Sequence, residues 1–348
     1  MNQRISLAAY RRSILSAIFA MSFFACSDGN KDNHKQPSYS ESLLLNFTSD
    51  FETGELRWMG TDEESLSAAS LSFDQDSKVA VHNEKIFVLE KNLSNLNCLN
   101  PQTIGDKSTI VQRSLESGSN PYDVAVVGNK GFIALYSLDY LQIFDANTCE
   151  LGGKIDLPIS GANASSINAY GDTLLVLSQR LENYMAVNPG LLILISASTG
   201  NVINTIELNF YNPHFSLLKN EKLFIASLDY FGAEDGIEVL DLKSGQSEVL
   251  YTGSVSSMAL DESTQTLYAS VYVSWGDAPV KPINLSNKSV GANLPSITDA
   301  YSGLVFDSES KRLFIADAGG LKIYDTETKT TTAVSNDLPP YSLAIVRW

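Results

Sequence analysis

The sequence predicts an all-β chain folded as a seven-bladed β-propeller. A short strand recurs roughly every 44 residues, the length of one four-stranded blade. No run sustains a helical period, and strands and turns alternate throughout. The two ends of the chain each supply part of one further unit, which closes the ring.

The recurring strand reads Lys78-Val-Ala-Val-His82, Asp123-Val-Ala-Val-Val127, Ser166-Ile-Asn-Ala-Tyr170, Phe215-Ser-Leu-Leu-Lys219, Ser257-Met-Ala-Leu-Asp261, Gly303-Leu-Val-Phe-Asp307 and Ser342-Leu-Ala-Ile-Val346. A polar turn follows it, as in Gly128-Asn129-Lys130 and Lys219-Asn220-Glu221, where Asn and Gly tolerate the positive φ of a tight hairpin. The second strand is apolar and rich in β-branched and aromatic residues, as in Lys85-Ile-Phe-Val-Leu-Glu90 and Arg312-Leu-Phe-Ile-Ala-Asp317. A third strand ends at a turn led by Asp or Ser (Asp145, Ser196, Asp241, Asp325), whose side chain can bond back to the turn backbone. A fourth strand completes the unit.

The last segment, from Pro340, copies a first strand and no more. Residues 43–50, 54–59 and 66–73 read as second, third and fourth strands, so one blade is expected to be a composite of both chain ends. If residues 43–73 were a peripheral extension instead, the ring would have six blades. Closure removes exposed sheet edges, which explains why the ends should meet.

The N-terminus reads as processing signal. Arg4, Arg11 and Arg12 precede an uncharged apolar run that ends in Phe-Phe-Ala25-Cys26. A small residue before a Cys at that place resembles the lipobox of bacterial lipoproteins, which implies a signal peptide over 1–25 and lipidation of Cys26. Residues 26–41 are polar and suit a flexible tether, leaving 42–348 as the propeller domain. The resemblance implies a lipid-anchored chain of the bacterial cell envelope. Ser27 after the Cys favours the outer over the inner membrane.

A formal charge of −16 argues against nucleic acid as a partner and leaves the anchor as the only expected membrane contact. Cys98 and Cys149 fall in adjacent blades by repeat alignment, one in a third strand and one in a third-to-fourth turn. They are disulfide candidates if the compartment is oxidising.

The Pro-Tyr-x-hydrophobic-Ala entry into a first strand, seen at Pro121-Tyr-Asp-Val-Ala125 and Pro340-Tyr-Ser-Leu-Ala344, resembles YVTN-type bacterial propeller repeats. So does the Leu-Tyr/Phe second strand at Leu267-Tyr-Ala-Ser270 and Leu313-Phe-Ile-Ala-Asp317. The resemblance covers most of residues 75–348. It implies a secreted or periplasmic propeller with no shared catalytic residues.

The sequence contains no G-x-S-x-G elbow, H-E-x-x-H pair, P-loop or Cys/His zinc cluster. No cofactor is expected. Asp229, Glu234 and Asp235 are weak Ca²⁺ candidates, without the spacing of an EF-hand loop. His82 reads as a solvated turn residue, whereas His214 precedes a first strand and can reach the channel mouth.

Irregularity gathers in the second-to-third strand loops and in the inter-blade entries, which share one face. That rim would carry Tyr122, Tyr140, Tyr184, His214, Tyr230, Phe231, Tyr272, Trp275, Tyr301 and Tyr341. Aromatic residues on adaptable loops mark recognition surfaces. The expected function is therefore a non-enzymatic binding or scaffold lipoprotein for a protein or glycan partner. The alternative is a metal-dependent hydrolase or lyase with a carboxylate-lined central channel.

Overall fold

The computed structural model describes residues 42–229, 234–334 and 339–348. The lipidation candidate Cys26 and the tether lie outside them, as do Tyr230 and Phe231. The described residues form seven antiparallel sheets arranged as a β-propeller. Blade 1 spans 77–114, blade 2 121–156, blade 3 164–211, blade 4 213–252, blade 5 255–284 and blade 6 303–333. Within each, the first strand lies innermost and the others follow outward.

Blade 7 is the composite that the two chain ends predict. Pro340–Arg347 is its inner strand, and Ser42–Ser49, Gly54–Gly60 and Leu71–Phe73 follow outward. The Ser42–Ser49 strand is buried along its whole length because it pairs on both sides. The six-bladed alternative is thereby ruled out.

The apolar residues explain why the ring must close. Seven buried clusters occupy the seven seams between blades. Phe132, Ala134 and Leu141 of blade 2 pack against Ile167, Leu174 and Ile193 of blade 3. Leu43, Phe47 and Trp58 of blade 7 meet Val79, Ile86 and Val88 of blade 1. On its other side blade 7 sets Leu44 and Met59 against Phe314 and Ile323 of blade 6. Each blade thus buries its two faces only against its neighbours, and removing one would expose two seams.

Local chemistry fixes the turns. Asp145 Oδ1 accepts the amides of Asn147 and Thr148 at 2.9 and 2.8 Å, and Asp325 repeats the arrangement with Glu327 and Thr328 at 2.9 and 2.8 Å. Ser196 takes the same place in blade 3, where its hydroxyl accepts the amide of Thr199 at 3.2 Å. At the blade entries, Asn120, Asn163 and Asn212 all adopt left-handed φ, of 50°, 47° and 48°. Asn tolerates this region better than other side chains.

Blade 5 departs locally from four full strands. Its fourth position is reduced to a segment held to the third strand by three amides: Ser289 O accepts from Asn284, Pro282 O from Gly291, and Val280 O from Leu294. Pro282 lies in the middle of the third strand. Its carbonyl points outward to Gly291, so its nitrogen points outward as well and has no proton to donate to a fourth strand.

Cys98 of blade 1 and Cys149 of blade 2 form a disulfide, with Cα atoms 6.5 Å apart. They occupy the third strand of one blade and the third-to-fourth turn of the next.

Candidate functional site

One device shapes the entrance to the central channel. In five blades the pairing of inner and second strands slips by one residue at the same place. Pro121 pairs with Leu135 and Asp123 with Ala134, leaving Tyr122 over. Ser165, His214, Ser256 and Tyr341 are left over in the same way in blades 3, 4, 5 and 7. A bulge of this kind re-aims a side chain out of the pleat. All five extra residues line a cavity of about 200 Å³. Tyr301, Ser302 and Gly303 of blade 6 and Lys78 and Lys91 of blade 1 complete the wall, so every blade contributes.

The polar contacts of this mouth are specific. Lys91 Nζ lies 2.8 Å from Asp76 Oδ1 and 3.4 Å from the Tyr341 hydroxyl, and it sits 4.6 and 5.2 Å from the ring centres of Tyr122 and Tyr341. The Tyr341 hydroxyl donates to the same Asp76 oxygen at 2.6 Å. Burial, with Asp76 beside it, pushes the phenol of Tyr341 far up, and burial also raises that of Tyr122. Tyr122 also stacks on Tyr136 at 4.9 Å, and the Tyr136 hydroxyl donates to Gln179 Oε1 at 2.7 Å.

Lys78 pairs with Asp123 Oδ1 at 2.9 Å. The other oxygen of Asp123 accepts from the Ser166 hydroxyl at 2.9 Å and the Ile167 amide at 3.0 Å. Ser166 continues to Ser216 at 2.8 Å, so a polar chain crosses four inner strands. His214 has no hydrogen-bond partner among the described residues. Burial first, and then the charges of Lys78 and Lys91, hold its imidazole down at about 4, which leaves it neutral near pH 7. His82 is partly buried rather than a solvated turn residue. Burial lowers its proton affinity against the opposing pull of Asp123.

The aromatic rim predicted as one surface is two. Tyr122, His214, Tyr301 and Tyr341 line the channel mouth. Tyr272 stands edge-on to Tyr301 at 6.0 Å, behind the mouth. Trp275 and Tyr184 instead project into solvent, 91% and 86% exposed, on second-to-third strand loops of blades 5 and 3. Tyr184 sits at the tip of a small hairpin, Leu181–Glu182 paired with Met185–Ala186. Tyr140 belongs to neither group. Its hydroxyl donates to Glu116 at 2.6 Å, and the ammonium of Lys154 lies 3.9 Å from its ring centre.

At the channel mouth the lining differs from the carboxylate lining of the alternative reading. The lining holds lysine, tyrosine, histidine, serine and apolar side chains, and neither Asp76 nor Asp123 is among the residues that form it. Among the described residues no three or more His, Cys, Asp or Glu side chains gather as a metal-holding group. That applies to the calcium candidates as well. Asp235 instead accepts from the Ser254 hydroxyl and from the Asp229 amide, and Glu234 uses its backbone carbonyl to hold the Tyr211 amide.

Sequence reasoning missed Lys78, Lys91, Asp76 and Tyr136. No local signal marks those four, whereas Tyr122, His214 and Tyr341 carry one, the insertion of one residue between the entry Pro and the recurring strand. That insertion sets Tyr122, His214 and Tyr341 out of the inward–outward alternation.

No family model matches the chain, and no curated protein matches it. Solved structures do. A functionally unknown protein from Desulfotomaculum acetoxidans aligns with a TM-score of 0.66 at 13% identity, covering 88% of this chain and 99% of the other. Hydrazine synthase from Kuenenia stuttgartiensis aligns at 0.62 and 14%, covering 79% and 97%. Apo AztD from Citrobacter koseri aligns at 0.58 and 10%, covering 88% and 98%. At such identities the likeness establishes the propeller and nothing finer.

Proposed function

We propose that this chain is a cell-envelope lipoprotein whose propeller captures a protein or glycan partner rather than transforming a substrate. The observation that carries the reading is the exposure of Trp275 and Tyr184 on loops that leave the same end of the ring. Met185, Val187 and Val273 are exposed beside them, which extends each ring into a small apolar crest. Side chains of this kind on protruding loops act as anchors for a partner. The crests flank a closed and rigid scaffold, so binding costs little ordering of the body of the protein.

The test is a double variant, Tyr184→Ala with Trp275→Ala, used in capture from cell-envelope extract and on immobilised envelope glycans. Capture is expected to fall at least tenfold. The melting temperature should stay within the small range of surface substitutions, about 0.5 kcal/mol in stability. Undiminished capture would remove the crests from the binding surface.

A further inference from the structure

We propose that the channel mouth is a second, separate binding site, built for a sugar acid: a ligand of monosaccharide size that carries a carboxylate among several hydroxyls. The first argument is where the charges stand. Lys78 and Lys91 are among the residues that line the cavity, whereas their partners Asp123 and Asp76 are not. Asp123 is further occupied by Ser166 and the Ile167 amide, and Asp76 by the Tyr341 hydroxyl. The acids hold the lysines in place, and the lining itself contains two lysines and no carboxylate. On a chain of net charge −16, a lining with two lysines and no carboxylate is a local reversal.

His214 reports the same field independently. It faces both lysines, and no carboxylate raises its proton affinity. Neutral imidazole offers one donor and one acceptor, and neither is used by a described residue. That is the pairing a sugar hydroxyl requires, since a hydroxyl both donates and accepts. Ser302, likewise without a hydrogen-bond partner among the described residues, adds a hydroxyl to the wall, whereas the Ser165 and Ser256 hydroxyls already donate to the Pro213 carbonyl and to Ser270. Tyr301 adds an aromatic ring. The volume of about 200 Å³ is below that of drug-sized sites, roughly 300–1,000 Å³, and sets the ligand at one sugar ring.

Calorimetry of the full chain with glucuronate, galacturonate and glucose tests the assignment. At least one sugar acid should bind tenfold or more tighter than glucose, the worth of about one charge-assisted hydrogen bond. Lys91→Met or Lys78→Met should erase that preference, and Lys91→Arg should retain it. Glucose binding as tightly as both acids, or neither acid binding at millimolar concentration, would overturn the proposal.

Because Lys91→Met leaves Asp76 without its cation, the unmodified chain supplies a second readout. His214 lines the same cavity as Lys78, Lys91, Tyr122, Tyr301 and Tyr341, and Asp76 and Asp123 are paired with the two lysines. An anion seated there should raise the pH at which the His214 imidazole titrates by nuclear magnetic resonance. An unmoved titration under saturating glucuronate and galacturonate would overturn the proposal. The rim variant Tyr184→Ala with Trp275→Ala should bind the sugar acid like the unmodified chain, so failure of one site is told apart from failure of the other.

Discussion

The hydroxyl of Ser342 accepts the backbone amide of Val79 at 3.1 Å, joining the last strand of the chain to the first strand of blade 1. The same contact recurs between blades 5 and 6, where Ser257 accepts the amide of Leu304 at 3.0 Å. In blade 2 the equivalent residue is Asp123, which accepts from Ile167 at 3.0 Å. A short polar side chain at one repeat position thus ties each of these inner strands to the next, and the ring is closed by the same bond that links its internal blades.

The seam at blade 7 should therefore be essential to the whole ring. Val346 is fully buried in the cluster shared with Leu43, Trp58 and Val88. Val346→Asp places an unpaired carboxylate there and should cost 3 kcal/mol or more, enough to remove a large part of a domain's stability. Thermal unfolding followed by circular dichroism measures this. An unchanged midpoint would mean that the final strand contributes nothing to closure.

Reduction of the Cys98–Cys149 disulfide should loosen blades 1 and 2 without opening the ring. The bond spans 51 residues of sequence, and a cross-link of that span restricts the unfolded chain by about 2–4 kcal/mol. Cys98→Ser with Cys149→Ser should lower the unfolding free energy by that amount, and with it the denaturation midpoint, and should abolish the effect of dithiothreitol on the midpoint. Identical midpoints with and without reductant in the unmodified chain would contradict this.

Acid should destabilise the fold in two separable windows. His214 is held at about 4 in the folded chain against 6.5 ordinarily, so between those values the unfolded chain binds a proton that the folded chain does not. Stability is complete above pH 6.5 and falls as pH drops through this window, by at most about 3 kcal/mol. His82 adds in the same direction. Asp145, Asp241 and Asp325, each lowered chiefly by turn amides, lose their contribution only below their ordinary 3.8. Urea midpoints at pH 7.5, 5.5 and 4.5 should decline in the unmodified chain. The decline should be shallower in His214→Gln with His82→Gln, and parallel declines would show that neither imidazole is responsible.

The scaffold was legible in the sequence because its information is periodic. Strands such as Lys222–Ser227 and Arg312–Asp317 repeat one pattern, and packing at each seam demands the same residue types there. The turn residues Asp145, Asp241 and Asp325 were equally readable, since each acts on amides two or three residues away. The composite blade could be read from an incomplete unit at each end. The mouth was harder. Lys78, Tyr122, His214 and Tyr341 are far apart in sequence and meet only because the ring closes. The rotation of Tyr122, His214 and Tyr341 toward one cavity depends on a single unpaired residue per strand, which alters no composition and little spacing. The loss of the outer strand in blade 5 turns on which way one proline faces, and residue type alone does not fix that.

The leftover residue in five inner strands has a consequence for how this architecture can change. Tyr122, Ser165, His214, Ser256 and Tyr341 fall outside the residue-by-residue register with the neighbouring strand, so substitution there leaves the backbone ladder of each blade intact. The ring offers a set of sockets around one axis. Different letters placed in them would retune selectivity while the frame that carries them stays the same.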